Sequence, residues 1–558
     1  MFNSKQKSLI THKEKTTSAS AFITAGMKQN ATTKSGNGAT KYSETDNPFV
    51  TDFGSIGAYK APREFQHVSA TMMVLWAVNA LLTVKFTLYL RTITRKVQYW
   101  FNGQKTEAVQ KGAGLKHESI YRMMWIAINH PDTFWKNINL FISLGSWKDI
   151  ITMLSYDLQF HGWNDRKLNW DTFGKLILAG LENANSNNLI RKYLPQIKSN
   201  NQCKTLESQA DNIIAKWISS LLFNAKTDNS ASYRKYRKYK SSGTAHQWQQ
   251  LISQGKHNLV DFNTIHGRAL SLMVSSKYLK NQGLEAKYQE WIANKPVAKF
   301  TGYVYELASK INNNLKKYQE DTINAQYKQL LSLAGKNNKN FIVVKDTSVS
   351  MNSVAYGTTL SSYTIAKSLS IYFANLIEGF FNNYYIDFSS KAILRQVQGS
   401  NFVEHWKTEQ RAASANTNFL GIAELFAQLK GGVAEKEFPT GLIIISDGEF
   451  DNTGMFQDVN ILAFKTILLK AGFSINYVNE LTFVFWDIRN TFYGKYQNRK
   501  FETYSSKEHK VFYFGGYDGS VISFLTGTEK TENNTTPTNA EELFLTAMDQ
   551  EVLNLVEL

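Results

Sequence analysis

The stretch that most constrains this chain is Phe341 to Met351, FIVVKDTSVSM. Apolar and β-branched residues lead through a lysine into an Asp, followed by Ser and Ser at two-residue spacing. A continuous apolar run of this length reads as a strand buried on both faces, of the kind found in parallel sheets. The loop after it offers three oxygen-bearing side chains: Asp346, Ser348 and Ser350. A carboxylate with hydroxyls, and no nitrogen or sulfur, suits a hard cation such as Mg²⁺.

Around this strand the chain changes style. From residue 341 onward, apolar strands alternate with helices: FIVVK, then SSYTIAKSLSIYFANLIEGF, NYYIDFSS, FLGIAELFAQLK, GLIIISDGEF, ILAFKTILLKAGF, LTFVFWDIR, KVFYFGG and a closing amphipathic AEELFLTAMDQEVLNLVEL. This alternation predicts a mostly parallel, doubly wound sheet, whose ligands bind beyond the carboxyl ends of its strands. Asp346 and Asp447 both fall there.

Before residue 341 the pattern is helical. VSATMMVLWAVNALLTVKFTLYLRTITRKVQYWF is dense enough in apolar residues for two buried helices, with a break expected near Leu82 to Val84. Ile120, Met123, Met124, Ile126 and Ala127 lie at helical spacing. Pro131 is a favoured first helical residue, Gly145 a stop, and Ser146 with Asp149 three positions on resembles a capping box. Further helical segments follow to about Ala334, joined by short Gly- or Asn-containing connections and without a fixed-period repeat. The expectation is an irregular α-helical repeat. Residues 1–45 are rich in Ser, Thr, Asn, Lys and Gly and read as a flexible arm, with order beginning near Asn47 to Phe53. The layout is therefore an arm (1–45), a helical-repeat domain (46–335) and an α/β domain (336–558), as expected for 558 residues, too many for one core.

Charge divides along the same line. Up to residue 340 there are 46 Lys+Arg against 22 Asp+Glu, a net of +24; beyond it, 17 against 24, a net of −7. A basic excess confined to the helical part points to a polyanion partner there. Its strongest local form is SYRKYRKYKSSG, where Arg234, Lys235, Arg237, Lys238 and Lys240 interleave with Tyr233, Tyr236 and Tyr239. Cations neutralise phosphates, and tyrosines stack on unpaired bases. Equally, the tyrosines can pack on the core and leave the cations as a solvated face. Arg91, Arg95 and Lys96 in LRTITRK form a weaker cluster. Arg268 and His266 are weaker still.

Other function classes are disfavoured. The single Cys203 excludes an internal disulfide or Cys-based zinc cluster, which fits a reducing, cytoplasmic setting. The first twenty residues contain no continuous apolar core of a secretory signal. Met72 to Val84 is shorter than the roughly 20 residues that span a bilayer, so no membrane association is expected. There is no GxxxxGK[ST] loop and no HExxH pair. Glu449 and Asp451 read as surface-loop acids rather than a general base. The chain reads as non-enzymatic.

Three pieces, Asp346-Thr347-Ser348-Val349-Ser350, Asn416-Thr417-Asn418 and Ser446-Asp447-Gly448, resemble in order the metal-ion-dependent adhesion site of von Willebrand factor A domains. The resemblance implies Mg²⁺, or another divalent cation, coordinated by Ser348 and Ser350 with Thr417 as a further ligand. Asp346 and Asp447 would bind it directly or through water, and one position would be left for a partner's carboxylate. A degenerate site held only by hydrogen bonds is the alternative. Helical repeats followed by such a domain resemble the TROVE-module Ro autoantigen family. The local likeness lies in LLTVKFTLYLRTITR, in ESIYRMMWIAINHPDTFWKNINLFISLGSWKDIITML and in KWISSLLF with YRKYRKYKSSGTAHQWQQLI. That resemblance implies an RNA-binding ribonucleoprotein component taking small or misfolded RNA. The alternatives are a protein–protein scaffold without RNA and, further off, a metal-dependent nuclease.

Overall fold

The computed structural model describes residues 47–54, 56, 63–101, 104–183, 187–225, 229–243, 247–265, 267–275, 277–294, 298–334, 340–355, 358–411, 413–414, 416–447, 458–488, 510–517, 537 and 540–558. It also gives the backbone of two short strands, β1 (Thr32–Lys34) and β2 (Thr40–Tyr42), which pair antiparallel. The rest of the 1–45 arm lies outside the described residues.

The helical part follows from apolar faces and caps. The Phe65–Val78 and Ala80–Arg91 helices are separated at Asn79, whose side chain accepts a 2.9 Å hydrogen bond from the Leu82 backbone N–H. The break therefore falls a few residues before the Leu82–Val84 expected from sequence, because Asn79 can cap and its apolar neighbours cannot. A second difference is larger. TRKVQYWF does not continue a helix: β3 (Ile93–Phe101) pairs antiparallel with β4 (Gln104–Ala113), from Ile93 opposite Ala113 to Phe101 opposite Gln104. Val97 and Tyr99 point inward while Lys96 and Gln98 are exposed. That period of two was hidden by the density of apolar residues just before it.

Pro131 does open a helix, Pro131–Lys136. Ser146 precedes the Trp147–His161 helix but makes no side-chain cap. The Asp149 carboxylate that would complete a capping box is taken by Arg91, at 2.7 and 3.2 Å.

The α/β part holds a six-stranded sheet in the order β10-β9-β8-β5-β6-β7. Its strands are β5 (Phe341–Asp346), β6 (Tyr384–Phe388), β7 (Ala392–Gln396), β8 (Gly441–Ser446), β9 (Thr482–Asp487) and β10 (Val511–Gly515). All neighbours are parallel except the edge strand β7, which returns antiparallel along β6. Alternation along the strands sends Phe341, Val343, Ile443, Ile445, Val484 and Trp486 to one face, where the Ser362–Ala374 helix packs. Ile342, Val344, Leu442, Ile444, Phe483 and Phe485 go to the other, against the Leu420–Leu429 and Asp458–Lys470 helices. This is the doubly wound arrangement the alternation predicted, on an irregular helical base.

Gly441 pairs with Phe341, and a Cβ there would lie 1.6 Å from the Phe341 ring. Gly441→Ala is expected to destabilise by about 1–3 kcal/mol through overpacking, read as a lowered denaturation midpoint.

The two parts share one core. The first face of the sheet belongs to the same hydrophobic cluster as the helices from Phe49 to Tyr236. The closing helix, Ala540–Met548, is shorter than the sequence suggested. It leaves the sheet and docks on the helical part, where Phe544 lies against Phe49, Phe53 and Phe86 at centroid distances of 5.3, 5.5 and 5.3 Å. The residues after it are tied down as well. Gln550 Oε1 accepts from the Lys111 N–H at 2.8 Å, and Glu557 N–H donates to Asn137 at 3.0 Å. The segment from 540 onward thus completes the packing of the helical part.

Candidate functional site

The winding direction reverses at β5. The chain leaves it for β6 and β7 on one side and returns to β8 on the other, so a crevice forms between the carboxyl ends of β5 and β8. Asp346 ends β5, and Ser446 and Asp447 end β8; all three are buried. Asp346 Oδ1 accepts the Ser348 backbone N–H at 2.8 Å, and Oδ2 accepts the Ser446 hydroxyl at 2.6 Å. Burial, and then the charge of Asp447, push the Asp346 carboxyl up to about 7, against the pull of its hydrogen bonds from Ser446 and Ser348. Two carboxylates have been brought together out of water, which is unfavourable unless something offsets their charge.

The hydroxyls arrive on the neighbouring loop. After Asp346 the backbone turns into a short 3₁₀ helix, Val349–Asn352, that places Ser348 Oγ and Ser350 Oγ 2.9 Å apart. Thr417 is buried in the segment before the Leu420–Leu429 helix. That segment is tied to the others: Val349 N–H donates to Ser414 O at 3.1 Å and Asn418 N–H to Ser389 O at 2.7 Å. Thr347 N–H donates to Phe388 O at 2.9 Å. The loops after β5, β6 and β8 and the loop before the Leu420–Leu429 helix are thus laced together around Asp346, Ser348, Ser350 and Asp447, with Thr417 buried in the last of these loops. Gly448, Glu449 and Asp451 lie outside the described residues.

The donor set is all hard oxygen. Among the described residues no three of His, Cys, Asp and Glu are grouped as metal ligands, so a cation here would need hydroxyls beside its carboxylates. The hydroxyls and carboxylates present fit Mg²⁺ or a similar ion.

Beside this site the sequence reading missed a buried charge network. Lys345 is fully buried, with Nζ 3.1 Å from Asp387 Oδ1 and in contact with Glu409. Lys367 also reaches Glu409, at 3.0 Å, and the Tyr363 hydroxyl donates to the same carboxylate at 2.9 Å. A lysine inside an otherwise apolar strand signals that a counter-charge must exist. Nothing in the linear sequence says that it comes from residue 409.

The basic stretch forms the Ser230–Gly243 helix, begun by Asn229, whose side chain accepts from the N–H groups of Ala231 and Ser232 at 2.9 and 3.1 Å. Its tyrosines face the core. Tyr236 is fully buried and donates to Pro195 O at 2.9 Å, and Tyr233 and Tyr239 pack on the same cluster. Arg191 lies over the Tyr239 ring at 4.0 Å. Tyr236 is thereby closed to base stacking, while Tyr233 and Tyr239 keep part of their rings at the surface. Arg234, Lys235, Arg237 and Lys238 are exposed, although Arg237 Nε leans on Ile197 O at 3.4 Å; Lys240 is half-buried, and desolvation lowers its pKa.

The second basic cluster is dispersed. Arg95 Nη2 donates to the carbonyls of Ser143 and Leu144 at 2.8 and 2.9 Å, capping the end of the Ile138–Leu144 helix. Arg91 is paired with Asp149, and exposed Lys96 sits 3.1 Å from Glu107. Arg95 Nη2 thus satisfies open carbonyls at a helix end. Arg268 pairs with Glu306 at 2.7 Å, and His266 lies outside the described residues. No helix among the described residues is long and apolar enough to cross a membrane.

Comparison with known proteins adds little. Residues 340–552, less than half of the chain, match a family described only as a domain of unknown function, DUF7788. No curated protein matches the chain. Among solved structures it is similar to the crystal structure of Deinococcus radiodurans RO (RSR) protein, at 10% identity and a TM-score of 0.35, covering 86% of this chain and 99% of that one. So loose a superposition transfers neither residues nor function.

Proposed function

We propose that the protein is an RNA-binding ribonucleoprotein component whose α/β domain holds a divalent cation and docks a protein partner. The observation that carries the metal half is the juxtaposition of Asp346 and Asp447 with the Ser348 and Ser350 hydroxyls at the β5/β8 crevice. These residues, with Thr417, would hold Mg²⁺. The bound ion would supply a Lewis-acidic position for a carboxylate from the partner, as the resemblance to von Willebrand A domains implies. Exposed Val349 and Val354 flank the loop and offer apolar contact beside such a carboxylate.

The RNA half rests on charge. The net of +24 before residue 341 has its densest local form on the Ser230–Gly243 helix, where Arg234, Lys235, Arg237 and Lys238 are exposed and Tyr236 is turned inward. Phosphate contact is the chemistry such a face supports. RNA binding should weaken steeply with salt, with a slope of log K against log salt of about −0.7 per single-strand phosphate neutralised. Arg234→Glu with Lys235→Glu and Lys238→Glu is expected to weaken binding and flatten that slope by roughly two units, in filter-binding or fluorescence titrations. No binding to single-stranded or structured RNA at low salt would leave the scaffold reading in its place. Mg²⁺-dependent cleavage of RNA, lost in Asp346→Ala, would replace both with a nuclease.

A further inference from the structure

The residue that holds the D-x-S-x-S loop in shape is Arg411, sixty-odd positions away in sequence. Its Nε donates to Thr347 O at 3.2 Å, Nη2 to Ser348 O and Nη1 to Asn352 Oδ1. These contacts close two successive peptide planes. The Thr347–Ser348 peptide has its N–H on Asp346 Oδ1 and its oxygen on Arg411. The Ser348–Val349 peptide has its N–H on Ser414 O and its oxygen on Arg411. With both planes pinned at both ends, the backbone of Ser348 is held at φ −56°, ψ 160°. That fixes the direction of its Cα–Cβ bond, from which the hydroxyl reaches Ser350 Oγ at 2.9 Å.

Arg411 is itself held. Its guanidinium stacks on the Tyr363 ring at 4.1 Å, and the Tyr363 hydroxyl is fixed by Glu409, which is anchored by Lys345 and Lys367. Only a planar fork can reach three acceptors and stack on a ring at once; an ammonium keeps the charge and loses the geometry.

We propose that Arg411 is a positioning residue that gives the cation site its preference for Mg²⁺ over Ca²⁺, an inference that rests on the metal reading above. Mg²⁺ demands near-ideal octahedral geometry at about 2.0–2.1 Å, whereas Ca²⁺ takes a looser, larger shell at about 2.3–2.6 Å. A hydroxyl pair held by a rigid loop favours the former. Loosening that loop harms Mg²⁺ binding more than Ca²⁺ binding.

The test is calorimetric titration of the full chain with MgCl₂ and CaCl₂, for wild type, Arg411→Lys and Arg411→Met. Arg411→Lys is expected to weaken Mg²⁺ binding about tenfold or more, the usual cost of losing a residue that supports metal ligands. Ca²⁺ binding should change less than about threefold, given the flexibility of its shell, and ion-free thermal stability should stay close to wild type. Equal weakening for both ions, or no change, overturns the assignment. So does tighter binding of both ions by Arg411→Met, which would reduce Arg411 to a repelling charge. A wild type that binds neither ion removes the metal reading and this inference with it; a wild type that binds Mg²⁺ beside an unchanged Arg411→Lys removes only this inference.

Discussion

Arg122→Met is expected to destabilise the protein by about 3–5 kcal/mol, the cost of breaking a buried ion cluster by removing one partner. Arg122 is fully buried. Its Nη1 lies 2.6 Å from Asp52 and its Nε 2.8 Å from Glu118, and Arg63 Nε donates to the same Glu118 at 3.1 Å. The cluster joins the Pro48–Gly54 helix to the Lys116–Asn129 helix. Without Arg122, buried Asp52 loses its guanidinium partner and Glu118 keeps only Arg63, so the two acids are left undercompensated. Methionine fills comparable volume, so the loss reports charge rather than a cavity. Chemical denaturation followed by tryptophan fluorescence measures it. Adding Asp52→Asn should restore much of the loss, because Glu118 then keeps its pair with Arg63 and no second acid opposes it. A single variant as stable as wild type would show that water or a shifted backbone satisfies the two acids.

Asp346→Asn is expected to act oppositely in two conditions. Without a divalent ion the variant should be at least as stable as wild type. The substitution removes a buried charge that faces Asp447; the amide Oδ1 can still accept from Ser348 N–H, and its Nδ2 can donate to Ser446 Oγ once that hydroxyl turns to accept. With Mg²⁺ the wild type alone should gain, by about 2.7 kcal/mol at a concentration one hundred times Kd. The two denaturation curves should therefore cross over on adding Mg²⁺ and revert with EDTA. An equal Mg²⁺-induced gain in the variant would place the ion elsewhere. A variant much less stable than wild type in EDTA would make Asp346 a structural hydrogen-bonding residue, the degenerate form of the site.

The outcomes differ because the two clusters are built differently. At Arg122 the charges already balance within the protein. At Asp346, burial and the charge of Asp447 act together against the ionised carboxyl, and a bound cation would offset both. Lys345 does not fill that role. Alternation along β5 sends it to the opposite face of the sheet, to Asp387 and Glu409.

Much of the α/β part was legible because its signals are local. FIVVKD and GLIIIS are apolar on both faces, so they had to be interior parallel strands, and the acids that end them had to lie at one edge of the sheet. The edge strand β7 was not legible: AILRQ is half-exposed and short, with no pattern that sets it apart from a loop. The β3–β4 hairpin was missed for the opposite reason, since its apolar residues merged with those of the preceding helix. In the basic helix the spacing of the tyrosines was readable but not their direction. Only the position of Pro195 and the surrounding core shows that Tyr236 points inward.

The sequence by itself determined the change from helical to α/β organisation at residue 341, the separation of charge across that point, and the five oxygen donors of the candidate metal site. The first two depend on residue types and local pattern, as do Asp346, Ser348 and Ser350; Thr417 and Asp447 join the set through the resemblance to von Willebrand A domains. The tertiary structure alone decided which acids face which cations, that Arg95 caps a helix, and that the chain's last residues pack on the Pro48–Gly54 and Ala80–Arg91 helices. It also decided that Arg411 pins the loop. These are contacts between residues tens to hundreds of positions apart. Composition can require that a buried charge or an open carbonyl find a partner, but only the folded path of the backbone selects which one.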